Sequence, residues 1–490
     1  MRSSFSGIEI SRRALLASQG ALDVVNHNTA NANTPGFSRQ VASLQTTSPY
    51  TVPGIYKSPI PGQVGTGVEI QSITRVRDAF TDRQYRRENK SMGYWTTQEE
   101  SLSKLEGVFN EPSDTGFQTV LNRFWESLQE LSKNPQMDAV RATVRQRGVD
   151  LTESFKHTYD SLVQQQADLN AVIEINVQDI NSTTLQIRDL NSQILKVEAV
   201  GEHANDLRDR RDLLLDSLSK LINVQVNEDQ YGVVTVSTVG QTLIQGNFVF
   251  EMDTDTTMGP NGQELVRPIW QGTGVPVVFD SGAMQGLLDA RDNSTVPPAT
   301  DGKNGIQGYI DQLNMLANSI MTDINAIHQT GYGIDAATTT GLDFFVLNPV
   351  STNYAKDLKL NTAILLDPKL IAASSTAEGV PGNGDNAIMM AQRLTQTSAI
   401  LGGVSLGDYY NGMIAQLGVD TQAAKRFNEN QDLLVASIEN RRQSVSGVSL
   451  DEEMTNMIKY QKTYSSAARM MTTYDEMLDT IINRMGRVGN

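Results

Sequence analysis

Between Leu151 and Val197 the chain reads LTESFKHTYDSLVQQQADLNAVIEINVQDINSTTLQIRDLNSQILKV, and two apolar rows run through it. Phe155, Leu162 and Leu169 form one, and Tyr159, Gln166, Ile173, Ile180, Ile187 and Ile194 form the other. The rows interlock at three-and-four spacing, the period of a long coiled-coil helix and not of a short globular one. Downstream, Asp206–Leu221 reads as a further helix with Leu207, Leu214, Leu218 and Leu221 on one face.

After Ile222 the period switches to two. Val224, Val226, Val234 and Val236 alternate with polar residues, Asn227–Gly232 and Asn261-Gly262 supply turns, and Val275–Phe279 is β-rich. Helix returns over 305–330. An irregular stretch follows to about 384, and helix then continues to the end, with Ala424, Phe427, Leu434, Ile438 and Val445 on one face.

Both ends carry narrower seams. Ile8, Leu15 and Leu22 repeat every seven residues near the start, while Arg12, Gln19 and Asn26 make the companion row polar. At the far end Leu450, Met454, Met457, Tyr464, Ala468, Met471, Leu478, Ile482 and Met485 follow three-and-four spacing, interrupted by Gln461 and Asp475. Ser449 and Glu452 have capping-box spacing. The Asn-rich stretch Asn26–Asn33 with Thr34, Pro35 and Gly36 ends the first helix. Pro49, Pro53, Gly54, Pro59, Pro61, Gly62, Gly65 and Gly67 then mark an extended connection, with helix resuming by about Arg75.

The fold class is therefore mainly α with an inserted β-rich module. Terminal coiled-coil helices (1–60 with 446–490) lead into a long helical bundle formed by N- and C-terminal parts (61–223 with 385–445). An outer, mixed α+β domain comes from the middle (224–384). Antiparallel helices bring the two insertion points together, which makes the topology simple.

Composition narrows the chemistry. The chain has 490 residues, 40 Lys and Arg against 56 Asp and Glu, and a formal net charge of -16. That balance opposes a nucleic-acid footprint or a polybasic membrane surface. Zero Cys excludes disulfides, thiolate catalysis, Cys-rich zinc sites and cysteine-ligated clusters. No stretch approaches the roughly 18 apolar residues of a spanning helix. The start, with only Ala14–Ala17 apolar after Arg12 and Arg13, does not read as a cleavable signal peptide.

His27, His157, His203 and His328 make no HExxH pattern and read as surface or packed residues. Gly65-Thr66-Gly67 and Gly302–Gly308 lack the rest of a phosphate loop, and there is no GxSxG elbow. Neighbouring carboxylates such as Glu99-Glu100 and Glu452-Glu453 point about 100° apart on a helix and read as solvated faces. Trp95, Trp125 and Trp270 are too scattered for a stacking platform. No catalytic residue, cofactor or metal is expected. The terminal stripes are the candidate functional residues, as self-assembly seams.

Asn31–Gln40 (NANTPGFSRQ) resembles the motif after the first helix of bacterial flagellar rod, hook and hook-associated proteins; Asn31, Asn33, Thr34, Pro35, Gly36 and Phe37 carry it. Ser446–Met454 (SGVSLDEEM), Tyr460-Gln461-Lys462 and Thr480–Asn483 resemble that family's C-terminal segment. Within the family, Ser446–Glu453, DLRDRRDLLLDSLSKL at 206–221, GAMQGLLDARD at 282–292 and GLDFF at 341–345 are similar to the FlgK branch.

The resemblance implies a non-enzymatic adaptor at the hook–filament junction, exported without a cleaved signal to the outside of the cell. Its terminal helices order as neighbouring copies assemble into a homo-oligomeric ring. Implied partners are further copies of the chain, the hook protein, hook-associated protein 3 and a cytosolic export chaperone. Rival readings are another axial flagellar protein such as hook protein or flagellin, a secreted wall hydrolase, and a cytosolic coiled-coil scaffold.

Overall fold

The structure, a computed structural model, describes residues 5–49, 65–111, 113–114, 116–296, 303–334, 340–348 and 353–484. Pro53, Gly54, Pro59, Pro61, Gly62, Gly302 and Met485, named above, lie outside the described residues. The chain is mainly α with small antiparallel sheets. It opens with α1 (Ser6–Ala30), the hairpin β1 (Gln40–Thr46) and β2 (Val68–Arg75), α2 (Ala79–Phe109), α3 (Phe117–Lys133), α4 (Asp138–Glu198) and α5 (Asn205–Leu221). The β module follows: β3 (Gln225–Glu228), β4 (Val234–Thr238), β5 (Gln241–Gln245) and β6 (Phe248–Val249) form one meander, and β7 (Met252–Met258) pairs with β8 (Glu264–Trp270).

Next come α6 (Ala283–Asp292), α7 (Ile306–His328), β9 (Phe345–Val346), α8 (Tyr354–Asp357), β10 (Lys359–Leu360) and α9 (Thr362–Leu366). The chain closes with α10 (Asp385–Gln392), β11 (Thr397–Ser398), β12 (Val404–Ser405), α11 (Leu406–Ser446) and α12 (Leu450–Asp479).

Helix α4 is the spine. Its 61 residues span about 90 Å, and all nine residues of the two interlocking rows are buried. No single partner helix covers them. Successive parts of the row pack on α3, α7 and α8, then on β7 and β8, then on α5. The coiled-coil expectation holds for the period but not for the partner. An amphipathic helix this long uses one apolar stripe to bind whatever layer lies beside it. Phe117, Phe124, Phe155, Phe344, Phe345 and Tyr410 cluster in edge and tilted contacts where α3, α4 and α11 meet.

Several local expectations are corrected. Residues 68–75 form a strand and helix resumes at Ala79, because Val68, Ile70 and Ile73 pair with β1 across the hairpin. Val275–Phe279 contributes one bridge, Ile269 to Pro276, since proline has no N–H for a ladder. On α11, Ala424 and Ile438 are buried, but Phe427, Leu434 and Val445 are exposed. The face that meets α2 is mixed: Asn428 donates to Glu99 and Gln431 donates to Glu88, while Phe427 stacks on Trp95 despite its exposed edge. On α5, Leu218 and Leu215 are buried together with Asp209, Arg211, Asp212, Asp216 and Ser219, while Leu207, Leu214 and Leu221 are only half-buried.

The β1–β2 pairing crosses residue 60, and both strands pack on α1. Helix α7 packs on α4, α10 and α11 within the bundle.

Candidate assembly site at the joined termini

Helices α1 and α12 lie antiparallel: Gly7 at the start of α1 faces the Tyr474 ring near the end of α12, and Arg39 just beyond α1 reaches Glu452 and Glu453 at its beginning. The buried face of α1 is built from small residues, Gly7, Ser11, Ala17, Ser18 and Ala21, followed by Val24 and Val25. Small side chains let the backbones approach, so the pair is held by close packing and not by a wide apolar stripe.

The expected assembly residues divide into two sets. Ile8, Leu15 and Leu22 on α1, with Met457, Met471 and Leu478 on α12, are half-buried. Leu450, Met454, Tyr464 and Ile482 are exposed. They have exposed company in Ile458, Met470, Met477 and Ile481, which the sequence reading left out. Leu450, Met454 and Ile458 are four residues apart and form a single row along α12.

The turn motif works as a C-terminal cap and a redirector. The Asn31 backbone N–H and side-chain amide both donate to the His27 carbonyl (3.1 and 3.0 Å), and the Thr34 hydroxyl donates to Asn31 Oδ1 (3.1 Å). Gly36 has φ 79°, a left-handed geometry that favours glycine. The Phe37 ring then stands edge-on to His27 at 5.4 Å. Asn33, Thr34 and Pro35 are exposed.

The residues immediately after the motif do the anchoring. Ser38 donates its backbone N–H (2.8 Å) and hydroxyl (2.7 Å) to Asp209 on α5. Arg39 donates Nε to Glu453 (2.8 Å) and Nη1 to Glu452 (2.7 Å). Gln40 exchanges two 2.9 Å backbone bonds with the Asn28 side chain and donates to Asp206 (2.7 Å). Glu452 is thus engaged by Arg39, and the Ser449 side chain makes no cap bond, so the capping-box reading is corrected.

Behind this sits a buried ionic cluster. Arg75, Arg77, Arg86 and Arg442 face Asp82, Asp209, Asp212 and Asp216, with side chains no more than 13% exposed. Arg75 Nη1 lies 2.8 Å from Asp209 and 2.6 Å from Asp212; Arg86 reaches Asp216 at 2.8 Å and Asp212 at 3.2 Å; Arg77 Nε is 2.7 Å from Asp82. Arg442, at the end of α11, pairs with Asp216.

Burial alone would raise the Asp212 carboxyl, but Arg77, Arg75 and Arg86 override it and hold it well below the usual carboxylate range. Arg77 is desolvated, yet the facing Asp212 and Asp82 keep it more basic than an ordinary arginine. Sequence reading missed this cluster. The available signal was the alternation of Asp and Arg in DLRDRRD at 206–212, on a helix otherwise read for its leucines.

The remaining candidates are structural. His328 is buried, donates Nδ1–H to the Leu342 carbonyl (2.7 Å) and accepts from the Ala372 N–H at Nε2 (3.0 Å). Burial outweighs the Leu342 bond and pushes its pKa down to about 4. Trp125 is buried, and Trp95 stacks on Phe427 at 4.6 Å. Among the described residues no cluster of His, Cys, Asp and Glu could hold a metal ion, and no helix is long and apolar enough to cross a membrane.

Comparison with known proteins places this geometry. A family model described as the flagellar hook-associated protein FlgK helical domain matches residues 102–345, and one described as the flagellar basal body rod FlgEFG protein C-terminal region matches 440–485. Flagellar hook-associated protein 1 of Bacillus subtilis (strain 168) is 36% identical over 507 aligned residues, covering 99% of both chains. The protein of that name from Escherichia coli (strain K12) is 24% identical, covering 96% of this chain and 98% of its own. The solved structure titled as the flagellar hook junction protein FlgK from Burkholderia pseudomallei superposes with a TM-score of 0.63 at 16% identity, over 74% of this chain and 100% of that one, so the fold is shared. With a full-length relative at 36% identity and its helical domain matched by the family model, the chain belongs to the FlgK family of flagellar hook-associated proteins.

Proposed function

We propose that the protein is a non-enzymatic structural adaptor joining the flagellar hook to the filament, and that its terminal helices self-assemble into a short tubular segment. One observation carries this reading beyond the family. The two chain ends are brought into one antiparallel helix pair, and that pair leaves the row Leu450, Met454 and Ile458 exposed on α12. A pair with an uncovered apolar row is a half-finished bundle, and burial against neighbouring copies completes it. The half-buried set, Ile8, Leu15, Leu22, Met457, Met471 and Leu478, holds the two helices of one copy together, while Leu450, Met454, Tyr464 and Ile482 meet the next copy.

The relatives, named as flagellar hook-associated protein 1, support the location, and the reading extends to partners: the hook protein on one side, hook-associated protein 3 on the other, and a cytosolic chaperone holding α12 before export without a cleaved signal. The turn motif, with Asn31, Asn33, Thr34, Pro35, Gly36 and Phe37, serves to aim the pair.

The test is Met454→Asp combined with Ile458→Asp, expressed in cells lacking their own copy. Both positions are exposed, so the purified variant keeps the wild-type melting profile. Expected is its absence from isolated hook–filament structures. Normal incorporation of the variant would sink the reading. Asp at Leu15 or Met471 is the weaker test, because those side chains are half-buried within one copy.

A further inference from the structure

Among the described residues, the continuous apolar core of the molecule contains none before Trp95 or after Ala424. Helix α1, the β1–β2 hairpin and α12 therefore form a terminal unit outside that core. Among the described residues, the unit is tied to the body by polar contacts: Ser38 to Asp209, Gln40 to Asp206, Arg75 to Asp209 and Asp212, and the Asn205 amide to the Ile73 carbonyl. Covalently it joins the body through two three-residue links, Val76–Asp78 into α2 and Gly447–Ser449 out of α11.

Arg39 sits between the two links. Its N–H donates to the Ser446 carbonyl at the end of α11 (2.8 Å), and its carbonyl accepts from the Val76 N–H (2.8 Å). Its guanidinium holds Glu453, which is 2% exposed, and Glu452 at the start of α12. One residue thus touches the exit of β2, the end of α11 and the first turn of α12.

We infer that Arg39 is a positioning residue that sets the angle between α12 and α11: its backbone is seated on the end of α11, and its clasp on Glu452 and Glu453 fixes the start of α12 across the Gly447–Ser449 link. A joint without a shared apolar core gains directionality from charge-assisted bonds, which hold only in one geometry. Loss of the clasp lets the start of α12 swing about the Gly447–Ser449 link and leaves α11 and α12 folded, because neither helix's own hydrogen bonds run through it. The inference concerns the single chain and stands whether or not the assembly reading does.

The test exploits the absence of cysteine. Spin labels at Lys462→Cys and Glu429→Cys, both exposed positions, report the distance across the joint by pulsed electron resonance. Labels at Glu174→Cys and Glu429→Cys report the body alone. The parent should give a single narrow distribution across the joint. Arg39→Gln should at least double its width, Glu452→Gln with Glu453→Gln should do the same, and the combination should add nothing further. Arg39→Lys, which keeps the charge but loses the fork that reaches both carboxylates, should fall between the parent and Arg39→Gln.

The body pair stays narrow throughout. An unchanged width in Arg39→Gln, or additive broadening in the combination, overturns the inference. If the body pair also broadens in Arg39→Gln, the Glu453→Gln variant decides: a parent-like joint distance there overturns the proposal, and a broadened one supports it.

Discussion

Replacing Asp212 by Asn is the sharpest probe of how the terminal unit is seated. The side chain is 10% exposed and faces Arg75 at 2.6 Å, Arg86 at 3.2 Å and Arg77 at 3.7 Å. Asparagine keeps the shape but leaves four buried guanidiniums opposite three carboxylates. Breaking a buried charge set by removing one partner costs about 3–5 kcal/mol, because the remaining charge is stranded away from water. At roughly 1.4 kcal/mol per tenfold, the lower bound corresponds to about a hundredfold larger population of the open state.

The assay is amide hydrogen exchange read by mass spectrometry over residues 205–221, which follows local opening without requiring a two-state transition of the whole chain. The control is Asp189→Asn, which removes the exposed Arg188–Asp189 pair and is worth less than about 1 kcal/mol. Exchange in Asp212→Asn within threefold of the parent, or an equal effect in the control, refutes the reasoning. Acid provides a second axis with a definite sign. A carboxyl held below its unfolded value stabilises the fold fully above the unfolded pKa of about 4, and that contribution drains away as pH falls further. Protection of α5 should therefore fall below about pH 4 in the parent and change far less in the variant.

Three further outcomes are expected. His328, with its pKa pushed down to about 4 by burial, stays neutral through the physiological range; its stabilising share is complete above the unfolded value near 6.5 and is lost as pH falls towards 4, so an imidazole NMR titration midpoint near 6.5 would contradict the assignment. Asn181→Ala strips the Met252 N–H and carbonyl of their side-chain partner, which should destabilise the β7–β8 ribbon by about 1–3 kcal/mol and speed exchange at Met252 with little effect at Leu128. Gly93→Ala drives a methyl into the Lys220 carbonyl where α2 crosses the end of α5, at a cost of about 1–3 kcal/mol in denaturant unfolding, whereas Gly107→Ala, with open space around it, should be neutral or slightly stabilising.

What was legible in the sequence follows from how each element is buried. The rows of α4 could be read directly because their buried positions are apolar except Gln166, which keeps step with the repeat; the buried Thr184 and Asn191 lie off both rows and carried no such signal. The terminal stripes were legible as stripes, but not as two sets. Gly7, Ser11 and Ser18 do the packing on α1, and small residues carry no hydrophobic signal. The buried faces of α5 and α11 stayed hidden for a related reason. Asp212, Asp216, Asn428, Gln431 and Arg442 look solvent-seeking until their partners are known, and those partners lie far along the chain: Arg75 is 137 residues from Asp212 and Asp216 is 226 from Arg442. A pattern confined to one segment shows which side avoids water, whereas charges that neutralise one another in the interior appear only once the fold has brought them together.

The same contrast separates the two ways strands are fixed to helices in this chain. Asn170, Asn181 and Asn191 on α4 each turn a side-chain amide to a strand backbone: Asn170 to the Glu264 carbonyl and Val266 N–H, Asn181 to both groups of Met252, and Asn191 to both groups of Val234. Asn325 on α7 does the same for Phe345. An amide side chain offers one acceptor and a donor, as a peptide unit does, so a helix bearing it satisfies a strand backbone that would otherwise be buried unpaired. The three pegs on α4 are 11 and 10 residues apart, close to three helical turns, and therefore share one face. Backed by apolar packing on β7 and β8, these neutral pegs fix the β module along the spine in a manner indifferent to ionic strength. Among the described residues, the terminal unit has one such peg, Asn28 to Gln40, and it acts within the unit and not across the joint. Its seat on the body is mostly charged. Rising salt screens the exposed part of that seat, where Asp206 receives Gln40, more than the buried Arg–Asp cluster, so exchange at Ser38 and Arg39 should respond modestly to ionic strength and exchange at Met252 and Val266 should not.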